Sequence, residues 1–140
     1  MQVVLDMRQN ELEQRQMEMA KIVAVLQKQQ NELQAIRNSQ IRNSEQMENL
    51  YNLEILDIQQ VESHRAYGLK LTVDEKNKLR IIDNTKALMA RKQIEVKEAH
   101  KKVEILKKLK EKQEQEYYKE FLASEVKEID DITSARFNHR

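Results

Sequence analysis

The chain of 140 residues contains no proline and a single glycine. Average usage would supply about 7 prolines and about 10 glycines over this length. These are the residues that make turns and stop helices. A sandwich, a barrel or a doubly wound sheet needs many turns, so those folds are excluded. Core-forming residues are also scarce: aromatics are 4% with no tryptophan, charged residues are 35%, and mean hydropathy is -0.85. Such a chain builds little globular core. It also lacks the proline and glycine of an ordinary disordered chain. Long helix remains. One straight helix would span ~210 Å at 1.5 Å per residue, and a chain folded once would have arms of ~100 Å.

One segment reads as a break. Ser63-His-Arg-Ala-Tyr-Gly68-Leu-Lys-Leu-Thr72 holds the only glycine. Thr72-Val-Asp-Glu75 has the spacing of a capping box, a threonine N-cap followed by glutamate three residues on. Asp74 and Glu75 add negative charge where the helix dipole favours it. The expected organisation is one unit over 1–140, with a first helix over about 1–66, a turn over about 67–72 and a second helix over about 73–136. Nearly equal arms joined by a short loop imply an all-α fold, a long antiparallel two-helix coiled-coil hairpin.

The apolar spacing agrees. Leu5, Leu12, Met19, Leu26 and Leu33 recur every seven residues and Met47 keeps the phase. Ile22, Ile36 and Leu50 sit three residues after members of that series. In the second arm Ile82, Met89, Val96 and Val103 repeat at seven, with Leu106 three beyond. Leu109, Tyr117, Phe121, Val126, Ile129 and Ile132 continue an apolar face after a phase shift. This is coiled-coil patterning. Arg8, Arg15, Gln29, Gln40 and Asn43 fall on the seam of the first arm, where polar residues weaken pairing and fix register.

Two places carry more apolar residues than a two-helix seam needs. One is Leu50-Tyr-Asn-Leu-Glu-Ile-Leu-Asp-Ile58, which as a helix would be apolar on most sides. The other is Glu116-Tyr-Tyr-Lys-Glu-Phe-Leu122, where Tyr117 and Phe121 suit the seam and Tyr118 and Leu122 form a second ridge. The first reads as an oligomer contact or as a surface that fills an apolar groove of another protein. Charge changes sign nearby. Residues 97–112 hold seven lysines against three glutamates, and residues 113–131 hold seven acids against two lysines.

Several functions are excluded or lack support. The formal net charge of +1 gives no global case for nucleic acid. The lysine stretch has no base-stacking aromatics among it, so nucleic-acid binding is not expected. No apolar run approaches the ~20 residues of a membrane span, and no direct membrane insertion is expected. The opening Met1-Gln-Val-Val-Leu-Asp6 lacks the basic region of a secretory signal. With no cysteine there is no disulfide or thiolate metal site. His100 and Glu104 have helical i,i+4 spacing, but two ligands do not make a zinc site. No nucleophile elbow or glycine-rich phosphate loop is present. An enzyme, a cofactor and a metal site are therefore not expected.

The last third carries a more specific pattern. Leu106-Lys-Lys-Leu-Lys-Glu-Lys-Gln-Glu-Gln-Glu-Tyr117 leads into Lys127-Glu-Ile-Asp-Asp-Ile-Thr-Ser-Ala-Arg136-Phe137. This resembles the C-terminal signature of the flagellar export protein FliJ family. The two-armed architecture and the length agree with it. The resemblance implies a cytoplasmic component of the flagellar type III export apparatus, similar to the coiled-coil stalk of the rotary ATPase gamma subunit and peripherally associated with the inner membrane. It implies three partners: the export ATPase hexamer, whose central hole receives the end bearing both termini; the cytoplasmic part of the export gate; and export chaperones, which the stalk helps recycle. Lys127, Asp130, Asp131, Arg136 and Phe137 would lie at the ATPase. Tyr51 and Ile55, with Leu79 and Ile82 opposite, match the family's gate contact, although aliphatics stand where some relatives have aromatics. The alternatives are an injectisome stalk of the same shape and a homodimeric coiled-coil tether.

Overall fold

A computed structural model describes residues 1–138 and consists of two long helices, α1 (Gln2–Tyr51, 50 residues) and α2 (Ile58–Asn138, 81 residues). There is no strand among the described residues. The all-α expectation holds, and the helices pack side by side. The chain forms two units, one of residues 1–14 with 97–140, the other of residues 15–96.

In the 15–96 unit the helices run antiparallel: Arg15 meets Glu95, Glu32 meets Lys78, and Asn43 meets His64. Leu26, Leu33 and Ile82 form its core cluster, with Met89 packed against them. In the 1–14/97–140 unit Leu5, Ala99 and Val103 are buried, and Lys110 donates to the side-chain oxygen of Gln2. Every described residue from 111 to 138 is exposed. The heptad reading of α1 is therefore correct, because all its buried positions and most of its half-buried ones fall on it, the rest flanking the seam. Its polar members take part too: Arg8, Arg15, Gln29 and Gln40 are half-buried and Asn43 is buried.

The turn lies elsewhere than the sequence suggested. It spans residues 52–57, not 67–72, so the arms are unequal. Ser63–Thr72 is continuous helix, and the Thr72 hydroxyl donates to the Gly68 carbonyl one turn back. Such back-bonding is how threonine is accommodated inside a helix. Gly68 is a seam residue with no positive φ, so it is not a turn glycine. The cap is Asp57: its Oδ1 accepts from the backbone N–H of Gln59 and Gln60, and its carbonyl accepts the first helical bond from Val61. Asp57-Ile-Gln-Gln60 has the same cap-then-N3 spacing as Thr72–Glu75. It outcompetes that box because Val61, His64, Gly68 and Leu71 continue the heptad of Ile82 and Met89 backwards to the true start of α2.

This makes a test. Asp57→Ala is expected to cost about 1 kcal/mol by loss of a cap. Thr72→Ala, in an exposed helix interior, is expected to be neutral or to stabilise by a few tenths of a kcal/mol. Urea denaturation followed by circular dichroism compares the two; equal losses would put the helix start back near residue 73.

Four charges close a ring across the seam of the 15–96 unit. Arg15 Nη1 lies 3.5 Å from Glu18 Oε2 and 3.2 Å from Glu95 Oε2, and Lys92 Nζ lies 3.3 and 3.1 Å from the same two oxygens. The Lys92 ammonium, hydrogen-bonded to Glu18, holds that carboxyl below its ordinary value, and Lys78 at 2.6 Å does the same for Glu32. Lys92 is raised, first by its bond to Glu95 and then by Glu18. Folded-state values below the ordinary 4.5 mean the two carboxylates stabilise fully above that pH. That contribution is lost as pH falls through the folded-state values. The Lys92 contribution is complete below 10.5 and is lost as pH rises through its raised value. The melting temperature is expected to fall between pH 5 and pH 3 by a modest amount, since the groups are open to solvent. Glu18→Gln with Glu32→Gln is expected to flatten that acid limb; an unchanged limb would show that the cross-helix pairs contribute nothing.

Candidate functional site

Two surfaces expose apolar side chains that the hairpin leaves uncovered. The first is the turn of the 15–96 unit. α1 ends where the Asn52 and Leu53 N–H groups bond back to the Glu48 and Leu50 carbonyls. The chain then crosses to Asp57, carrying Leu53, Glu54, Ile55 and Leu56 outward. Ile55 is 85% exposed, and Tyr51, Leu53, Leu56 and Ile58 are also exposed. The sequence placed this apolar run on a helix; it is the turn. Residues 45–62 contain five acids and no base, so the surface is both apolar and acidic.

The four residues matched to the gate contact are not brought together. Tyr51 and Ile55 share the turn. Leu79 lies far along α2, roughly 30 Å from its start at 1.5 Å per residue, and is only just exposed. Ile82 is 3% exposed and lies in the core against Leu26 and Leu33, so its side chain is committed to the hairpin and is not open to a partner. The reason is its place on the heptad between Leu71 and Met89, a seam position that an apolar residue fills.

The second surface is the exposed arm of α2 in the 1–14/97–140 unit. Tyr117 and Phe121, expected in the seam, are exposed, Tyr117 by 74%. Among the described residues none of α1 packs against them, and Gln2 pairs with Lys110 before the arm begins. The seam phase through Val103 and Lys110 leads on to Tyr117 and then to Ser124, and it turns polar. Tyr118, Leu122, Ile129 and Ile132 form a new stripe one position round the helix. At 100° per residue Arg136 falls in line with that stripe, whereas Lys127, Asp130 and Asp131 fall together on the opposite face. Phe137, 77% exposed, lies between them. The side chains that the resemblance matched to the ATPase contact thus surround the arm instead of forming one patch. Met1, Lys110, Gln113, Glu114, Tyr117 and Tyr118 line a shallow notch where the arm begins. Arg136 in the last turn complements the helix dipole.

His100 Nε2 stands 3.8 Å from Glu104 Oε1, and Lys107 Nζ stands at the same distance from that oxygen. The ammonium competes with any cation there. Among the described residues no group of three or more potential ligands could hold a metal, and no helix is long and apolar enough to cross a membrane.

The chain is an all-helical hairpin with two exposed, chemically different apolar surfaces. The model of one family, the flagellar FliJ protein, matches residues 1–140, the whole chain, and the protein belongs to that family. It is therefore a component of the flagellar export apparatus. No curated protein and no solved structure matches the chain.

Proposed function

We propose that the protein is a non-enzymatic stalk of the flagellar type III export apparatus. Its α2 arm over residues 111–138 docks with the export ATPase hexamer, and its turn docks with the cytoplasmic part of the export gate. The observation that carries this reading is the arm: a bare helix whose acidic, apolar and basic side chains face all directions. A helix seated in a socket needs contact chemistry on every side, whereas a helix lying on a surface needs one face. Lys127, Asp130, Asp131, Arg136 and Phe137 are the contact residues on the arm. Seven acids against two lysines in residues 113–131 favour a socket with basic walls. The same charge opposes pairing of two copies along the arm, which counts against the homodimeric tether. Tyr51 and Ile55 serve the gate, and Leu79 is a separate contact further up α2. In this role the protein stays in the cytoplasm, held at the inner membrane through its partners, and passes emptied chaperones back for reuse.

Binding of the full chain to the purified export ATPase and to the gate's cytoplasmic domain, by pull-down and calorimetry, tests the proposal. Failure to bind the ATPase at micromolar concentrations would remove it. Tyr51→Ala with Ile55→Asp is expected to weaken gate binding about tenfold or more, as expected for loss of an apolar anchor. ATPase binding by that variant is expected to be unchanged.

A further inference from the structure

Asn43 is the buried polar residue of the seam, 5% exposed. Its Nδ2 donates to the His64 carbonyl at 2.9 Å, and its Oδ1 lies 2.8 Å from His64 Nδ1. A carbonyl only accepts, which fixes the amide's orientation; the imidazole Nδ1 therefore carries the proton and donates to Oδ1. One turn on, Gly68 closes the contact. A Cβ there would stand 3.1 Å from Asn43 Nδ2, tighter than ordinary packing. The lone glycine makes room for the amide.

The rest of the seam discriminates poorly between registers one heptad apart. Around the core cluster apolar residues recur at seven on both helices, so a slide by seven in one direction still sets Leu26 and Leu33 against apolar residues, Val96 and Met89. A slide by seven breaks the ion pairs Glu32–Lys78 and Glu18–Lys92, setting Glu32 against Thr85 or Leu71, but these pairs stand open to solvent, where such pairs are worth little. The Oδ1 of Asn43 finds no second side-chain donor one heptad away. A slide by seven in one direction puts Leu71 where His64 stands, and in the other it puts Asp57 of the turn there. The first takes away the imidazole donor and leaves the buried Oδ1 of Asn43 unbonded, which is costly. The second removes the residue that caps α2.

We propose that Asn43, His64 and Gly68 form a register latch. It selects one of several near-equivalent heptad registers of α1 on α2 in the 15–96 unit. Because the chain between the helices must absorb any slide, the latch also fixes where the turn falls, and with it which apolar residues the turn exposes.

The absence of native cysteine makes the register readable by engineered pairs in the full chain. Glu32→Cys with Lys78→Cys reports the present register. Glu32→Cys with Thr85→Cys, and Val25→Cys with Lys78→Cys, report slides of seven in the two directions. With the latch intact, mild oxidation is expected to link the first pair and to link the slide pairs at most about a tenth as well, the ratio that one lost buried hydrogen-bond set supports. Asn43→Leu, which keeps an apolar seam and hence the helices, is expected to raise at least one slide pair about tenfold. Gly68→Ala, which keeps Asn43 but crowds its amide, is expected to raise the same pair by less. Circular dichroism verifies helicity in each case. Slide pairs that link as well as the native pair with the latch intact, or that stay unchanged in both variants, overturn the proposal.

Discussion

Reversing the charges of the arm, by Asp130→Lys, Asp131→Lys and Arg136→Glu together, is expected to cut stimulation of the export ATPase about thirtyfold. The figure corresponds to loss of a single interface hot spot of roughly 2 kcal/mol. Charge reversal adds repulsion to the lost contacts, so the loss should be at least this large. All three side chains are exposed and none packs in the hairpin, so the melting curve should be unchanged. That separates a docking defect from a folding defect. Full stimulation by the triple variant would move the ATPase contact off this part of the arm.

The second large effect concerns the fold. Ile82→Ala is expected to destabilise by about 2–4 kcal/mol, the usual cost of emptying a buried aliphatic site. The neighbour Ile81→Ala, on the solvent side of α2, is expected to cost under about 0.5 kcal/mol. The contrast follows from how little core there is. The wholly buried apolar side chains are few, and Leu26, Leu33 and Ile82 form the one cluster of the 15–96 unit. A two-helix seam cannot collapse around a hole as a globular core does in part, because it has no third layer to move in. A drop in melting temperature of about 10 °C for Ile82→Ala is expected on this scale. Equal melting of the two variants would show that the seam is not where the stability resides. The same comparison bears on function: because Ile82 belongs to the seam, any loss of gate binding in its variants should track the loss of stability.

The seam is legible in the sequence because its signal is periodic. A repeat at seven survives whatever the partner helix is, so spacing alone puts Leu5, Leu26, Leu33, Ile82 and Val103 on the inner face. The turn is not legible from its strongest local marks. Gly68 and Thr72–Glu75 look like a stop and a start, but each has a second physical use, one as room for an amide and the other as an ordinary stretch of helix interior. Asp57-Ile-Gln-Gln60 carries the same capping chemistry with no glycine to announce it. The tie is broken by the heptad of Val61, Gly68 and Ile82, which a glycine in the series disguises. With the turn at residues 52–57, α1 pairs with α2 only as far as Lys110, and the described residues 111–138 are exposed. The exposed arm is therefore hidden in the sequence, although its apolar stripe and its acids are plain. The Asn43–His64 bond needs the register of one helix on the other, which no local pattern encodes.

The zero prolines take on a definite meaning in this frame. An interior proline would break the hydrogen-bond ladder and bend either helix. α2 runs for 81 residues without one, and among the described residues no other helix lies beside its last stretch. Unbroken helix is what lets such an arm present side chains at fixed angles around its axis to a socket.

In the proposed role this arm acts on the export ATPase. ATP hydrolysis by that enzyme, measured at a subunit concentration where its ring is half assembled, tests it most directly. Titration with the full chain is expected to raise the rate to a plateau near one protein per ring, and the charge-reversed triple variant should leave the rate at baseline. A rate that stays flat as intact protein is added would contradict the account.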